Sequence, residues 1–230
     1  MKFTWLGHGS MRIESGTAVL LIDPWLSGNP SLPEDCHETA VAGATHILLT
    51  HAHFDHVTDI LPLAKKLGIP VVGQFDLIAY WAEAEGIEGV GFNKGGTVDL
   101  NGVAVTMVPA SHSSTLGLPD GPKGVGSEIG FMLRAEGHTV YVSGDTDIMA
   151  DMAWMGEYHA PDIGILSAGG HFTMDMKATA WAAKTYFDFK TVIPVHYKTF
   201  PILEQTADDL IAGLPGVEVK TPQVMEEITL

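Results

Sequence analysis

The chain has 230 residues, enough for one large α/β domain with a full core. With 46% hydrophobic and 17% charged residues, a disordered, coiled-coil or collagen-like protein is excluded. Its 28 acidic residues against 12 basic ones give a net charge of −16, which repels phosphate backbones and argues against a nucleic-acid partner.

Alternation over residues 2–6 and 11–14, then the apolar run Ala18–Ile22 before Asp23-Pro24, predicts three strands with turns at 7–9 and at Ser15-Gly16. A Pro/Gly-rich loop, 26–33, leads to a short strand, 45–50, which delivers the chain into His51-Ala52-His53-Phe54-Asp55-His56. Thr58 is expected to cap a helix that carries Ile60, Leu61, Ala64 and Leu67 at helical spacing and ends at Gly68 before Pro70. The unit repeats as a strand at Val71-Val72 and a helix over Phe75–Glu85, stopped by Gly86. Asn101-Gly102 then joins Thr97–Leu100 to Val103–Pro109 in a hairpin that runs into Ser111-His112. Residues 113–127, rich in Ser, Gly and Pro, read as a mobile loop that covers the site. A second meander, Ile129–Ala135 and 139–143, turns at Glu136-Gly137 and ends in Gly144-Asp145. Beyond it come a helix near 149–158, a strand over Ile163–Ser167, a helix over 174–187, a strand over 191–196, a helix over 202–212 and a last strand over 217–220. Trp81, Met152, Trp154 and Met155 read as core residues. The two meanders, each followed by an Asp (Asp23 and Asp145, offset by one residue) and by α/β units, suit two similar sheets packed face to face. The expected fold is a four-layer α/β/β/α sandwich, one domain over 1–230.

The chemistry sits at strand ends. His51 and His53 are two apart on an extended segment, so both imidazoles can face one cation, while Asp55 and His56 can face a second beside it. His112, Asp145 and His196 each follow a strand, and strand ends in stacked sheets converge on one edge. His112 would complete the first site and His196 the second, with Asp145 bridging. Nitrogen and oxygen donors without sulfur suit two divalent ions, zinc first, with manganese, iron or nickel as alternatives. A bound water with a pKa near 7 rather than ~16 then supplies hydroxide as the nucleophile, and Asp55 is the candidate to accept or return a proton. His8, at a turn, and His171 with Phe172, after a strand and a glycine turn, are candidate substrate-binding residues. Asp23 is a candidate to orient a metal-binding histidine. His37, His46, His138 and His159 read as surface or structural.

The string Thr50-His51-Ala52-His53-Phe54-Asp55-His56, followed in order by His112, Asp145 and His196, resembles the metallo-β-lactamase superfamily. Trp5-Leu6-Gly7-His8, Leu21-Ile22-Asp23-Pro24, Gly95-Gly96-Thr97-Val98, Gly144-Asp145-Thr146, Gly169-Gly170-His171-Phe172-Thr173-Met174 and Ile193-Pro194-Val195-His196-Tyr197 narrow the resemblance to small metal-dependent hydrolases related to ascorbate-phosphate lactonase. His171 departs from that pattern, where a smaller polar residue such as Asn is expected. The resemblance implies the sandwich fold, the paired-metal site and hydrolysis of a small, anionic ester, lactone or phosphodiester. A metal-binding scaffold or sensor without catalysis and a nuclease of the same fold are the alternatives. Lys94, Lys123 and Lys198 are the cations expected near the site. The lone Cys36 forms no intrachain disulfide, no apolar run reaches the ~20 residues of a membrane span, and the N-terminal residues lack a secretion pattern. A cytoplasmic enzyme with a small-molecule substrate and no membrane insertion is expected, with homo-oligomerisation left open.

Overall fold

The computed structural model describes residues 1–230. The strands β1 (Lys2–Trp5), β2 (Met11–Ser15) and β3 (Ala18–Ile22) form an antiparallel meander, and β4 (His46–Leu48), β5 (Val71–Gln74) and β6 (Gly89–Phe92) extend it in parallel. In the second sheet, β7 (Thr97–Leu100) and β8 (Val103–Pro109) form the hairpin about Asn101-Gly102. A separate hairpin, β9 (Thr115–Leu118) and β10 (Gly121–Gly124), follows. Then β11 (Ile129–Ala135) and β12 (His138–Val142) continue the antiparallel part, and β13 (Ile163–Ser167), β14 (Thr191–Val195) and β15 (Glu218–Val219) run parallel. The last strand, β16 (Glu227–Thr229), returns to pair with β1. The two seven-stranded sheets have the orders β16-β1-β2-β3-β4-β5-β6 and β15-β14-β13-β12-β11-β8-β7.

Alternation decides which side chains meet. In β2, Met11 and Ile13 point inward while Arg12 and Glu14 stay half-exposed. Between the sheets Phe3, Ile13 and Leu20 meet Val105, Phe131, Leu133 and Ile165 in one core. Burying each such side chain contributes roughly 1.5–3 kcal/mol, so the pairing of the sheets does not depend on the polar edge. The helices form the outer layers. α1 (His37–Val41), α3 (Ile60–Leu67) and α4 (Phe75–Glu85) cover the first sheet, where Ala64, Ile78 and Trp81 pack on Leu21, Ile47 and Val71. α2 (Phe54–Val57) is a single turn at the sheet edge, and α5 (Met152–His159), α6 (Met176–Tyr186) and α7 (Asp208–Gly213) lie with the second sheet. The four layers are those expected.

Some local expectations change. Thr58 does not cap α3; it follows α2 and its hydroxyl donates back to the carbonyl of Phe54, the first residue of α2, and Asp59 is the residue before α3. Gly68 ends α3 at φ +64°, as its freedom at positive φ allows. The segment 113–127 is not an irregular loop but contains the β9–β10 hairpin, fastened at its base by Gln74, whose side chain accepts from Ser127 N (2.7 Å). The helix expected over 202–212 is only α7, and Trp154 is 43% exposed rather than core. In sheet register Asp23 corresponds to Ser143, since Asp23 N donates to Leu48 O and Ser143 N to Ile165 O. The two aspartates are therefore offset by two residues, not one.

Candidate metal centre

The strand ends place the expected residues together. The turns after β4, β8, β12 and β14 bring His51, His53, Asp55, His56, His112, Asp145 and His196 to one edge between the sheets. His51 Nε2 lies 3.1 Å from His53 Nδ1, and His112 Nε2 lies 3.3 Å from the same atom, so three imidazole nitrogens converge. Asp55, His56 and His196 form a neighbouring group with His8. Between the groups, Asp145 Oδ2 is 3.9 Å from His51 Nε2, 3.8 Å from His112 Nε2, 3.5 Å from His56 Nε2 and 3.0 Å from His196 Nε2.

Behind the cluster, a layer of hydrogen bonds fixes the rings. Asp23 Oδ2 is 2.7 Å from His56 Nδ1, and Thr50 holds Asp23 through its backbone N–H (2.7 Å) and its hydroxyl. His8 is not on a substrate-facing wall. It is 1% exposed, with Nε2 2.7 Å from Asp55 Oδ2 and Nδ1 2.9 Å from Thr199 Oγ1. The His8 carbonyl accepts from His196 N and from Trp5 Nε1, both at 2.8 Å, so one residue ties the first turn to the last histidine. Both His8 and His196 sit at positive φ, +51° and +63°, a strained setting that the surrounding bonds maintain. Glycine is needed beside them: a Cβ at Gly169 would lie 2.1 Å from the His196 carbonyl, and one at Gly9 would lie 2.8 Å from His56 Cε1.

The charge states divide along the same line. Burial keeps His51 well below its usual pKa, with His56 adding repulsion, and burial likewise lowers His53 and His112. These rings are neutral, as metal ligation requires. Burial also opposes charge on His56, but Asp145, Asp23 and Asp55 outweigh it and hold that ring well above its usual value. His196, desolvated yet beside Asp145, is raised to about 9. Burial would raise both carboxyls, but His56 and His196 hold Asp55 below the ordinary range and His196 and His56 hold Asp145 well below it. His8 is lowered to about 4, chiefly by burial, so it is neutral and its Nε2–H donates to Asp55.

The residues fit a cation. His56 Nε2 is buried without a hydrogen-bond partner and faces two carboxylates. The donors are nitrogen and oxygen only, a set suited to zinc and its neighbours.

A cavity of about 440 Å³ opens on the cluster, of a size for a small molecule. His53, Asp55, His112, Asp145 and His196 form its polar part, and Phe54, Phe172 and the hairpin residues Thr115, Gly117 and Pro122 wall it. Phe172 is thus where the sequence suggests. His171 is not: it is exposed and lines a separate groove with Asp147 and Glu204. Lys94, Lys123 and Lys198 do not line the cavity; Lys123 pairs with Asp120 (3.1 Å) and Lys198 lies over the Tyr197 ring. Sequence reasoning missed Thr199, Gln74 and Phe54. Only Phe54, inside the histidine string, carried a local signal.

Residues 19–197 match the family model of the beta-lactamase superfamily domain. The chain is 73% identical over 228 residues to a UPF0173 metal-dependent hydrolase of Ruegeria pomeroyi, covering 99% of both chains. Among solved structures it is similar to Igni18, a metallo hydrolase of Ignicoccus hospitalis (28% identity, TM-score 0.86, 99% of this chain and 97% of that one). The metallo-beta-lactamase fold protein YhfI of Bacillus subtilis shares the fold at 16% identity and a TM-score of 0.75, with 99% of each chain covered. A histidine and aspartate cluster at the edge of a matching sandwich, in a chain so similar to these hydrolases, leads to one conclusion: this protein belongs to the beta-lactamase superfamily, among its metal-dependent hydrolases.

Proposed function

We propose that residues 1–230 act as one cytoplasmic hydrolase domain that holds two divalent ions, zinc first among the candidates, and adds water to a small ester, lactone or phosphodiester. The observation that carries this reading is Asp145 Oδ2, which has the Nε2 atoms of His51, His56, His112 and His196 all within 3.9 Å. One oxygen among four imidazoles from both sheets suits a bridging carboxylate. His51, His53 and His112 would hold the first ion, and Asp55, His56 and His196 the second. When bound, such ions supply Lewis acidity and bring the pKa of water towards neutrality. The chain's own groups do the rest. Asp55, kept ionised, can accept a proton, while the His8 Nε2–H fixes its Oδ2 and Asp23 fixes the His56 ring. Phe54, Phe172 and the β9–β10 hairpin limit the substrate to what the cavity holds. The −16 net charge favours small substrates over nucleic acid.

Metal analysis and a hydrolysis panel test the reading together. Reconstituted protein should bind two ions per chain; Asp145→Ala should lose both, His112→Ala mainly the first and His196→Ala mainly the second. A saturating stoichiometry of one rejects the pair. On a panel of esters, lactones, phosphodiesters and RNA, faster cleavage of RNA than of every small substrate reassigns the chain as a nuclease.

A further inference from the structure

Two phenyl rings stand in the cavity that the hydrolytic chemistry does not use. Phe54, between His53 and Asp55, is 63% exposed, and Phe172, beyond β13, is 54% exposed. One comes from the edge of the first sheet and the other from the second. Each ring left in water forgoes roughly 1.5–3 kcal/mol of burial, so two at one small cavity form an apolar surface without an occupant from the chain. Each lies against a neighbouring ring. Phe54 is braced edge to face by Trp25 (centroids 5.7 Å), whose indole N–H donates to Ser27 O (2.9 Å). The loop carrying Trp25 is held by the buried Asp59, which accepts from Leu26 N and Ser27 N at 2.7 and 2.8 Å. Phe172 packs edge to face on His171 (4.6 Å).

The charge distribution points the same way. No lysine or arginine lines the cavity, so the positive charge within it belongs to the cluster, where the reacting bond lies. A second anionic group on a substrate would meet phenyl rings, Pro122 and Gly117, with only the neutral hydroxyls of Ser113 and Thr115 and no cation to offset its lost hydration. We infer that the substrate of the proposed hydrolase is uncharged away from its reacting bond and presents a flat apolar group, of the size of one aromatic ring, to Phe54 and Phe172. Offset or edge-to-face contact with such rings adds selectivity beyond area alone. The inference rests on the hydrolase reading and narrows it to ring-bearing substrates that carry no charge away from the reacting bond.

Three lactones test it on the metal-loaded protein: γ-phenyl-γ-butyrolactone, unsubstituted γ-butyrolactone and the carboxylate-bearing γ-butyrolactone. The phenyl compound should exceed the unsubstituted one in kcat/KM by about tenfold or more, and the carboxylate should be the slowest. Phe54→Ala and Phe172→Ala should erase the phenyl preference, and Phe172→Arg should turn selectivity towards the carboxylate. Preference of the unaltered protein for the carboxylate overturns the inference while leaving a hydrolase. If neither these lactones nor the ester and phosphodiester panel is hydrolysed, the proposed function fails, and saturation-transfer NMR with phenylacetone still decides the ring site. Saturation of its ring protons by the unaltered protein, lost in the Phe54→Ala/Phe172→Ala double variant, supports the site; its absence from the unaltered protein overturns it.

Discussion

Both ring nitrogens of His8 are engaged, one with the Asp55 carboxylate and one with the Thr199 hydroxyl, and its backbone carbonyl holds His196. His8→Asn keeps that carbonyl and suits φ +51°, because Asn tolerates the left-handed region, but its shorter side chain leaves Asp55 unheld. We expect metal affinity or activity to fall by about 10–100-fold with the fold retained, as measured by metal titration alongside circular dichroism. The charge states give a second expectation. His196 is raised from 6.5 to about 9, so in metal-free protein its extra stability is fully present below pH 6.5 and is lost as pH rises through 9. The lowered carboxyls Asp55 and Asp145 work in the opposite sense, contributing above their ordinary 3.8 and failing as pH falls below it. Metal-free Tm should therefore decline between pH 6.5 and 9, whereas loaded protein, whose ligating histidines are already neutral, should not; a flat metal-free profile would refute this. At this scale the proposed ligands were legible because each follows a strand. The partners of His8 were not, since Thr199 lies 191 residues away and only the fold unites them.

The β9–β10 hairpin shows how an element can escape a reading based on composition. Gly117, Gly121, Gly124 and Gly126 with two prolines look like irregular chain, yet Thr115–Leu118 pairs with Gly121–Gly124 in full register. Two anchors hold it: Ser114 Oγ accepts from Ala52 N (3.2 Å) beside the histidine string, and Gln74 grips Ser127. Gly126 suits that position because its φ of +97° is one that side chains rarely adopt. Replacing residues 115–124 by a short turn should raise KM for small substrates by about tenfold or more, as expected when a wall that excludes water is removed, and should leave the metal content unchanged. Equal kinetics in the shortened and full-length proteins would reduce the hairpin to a connector. The strands β6 and β16 and the helix α1 carried too few apolar residues to announce themselves. By contrast α4 and the β7–β8 hairpin matched residue for residue, because Gly86 and Asn101-Gly102 mark their ends chemically.

Across the whole molecule the two sheets repeat one plan. The path β1-β2-β3 followed by parallel β4-β5-β6 is matched by β8-β11-β12 followed by β13-β14-β15, and the outer strands β16 and β7 are exchanged between halves, each pairing with the first strand of the sheet it joins. The sequence hinted at this through its two meanders, but the register between them emerges only from the pairing of β3 with β4 and of β12 with β13. The proposed ligands follow the same division, with His51, His53, Asp55 and His56 on one side and His112, Asp145 and His196 on the other. Ions shared between them would cross-link halves that are otherwise joined by a greasy, non-directional interface. A ligand bound only by the native state at a thousand times its Kd adds about 4 kcal/mol, and here that energy would act along one axis, against separation of the two sheets. Force applied across the interface would load the metal bonds directly, whereas peeling a strand within either sheet would not. The metal would then set the mechanical strength of the molecule in one direction and leave it unchanged in the others.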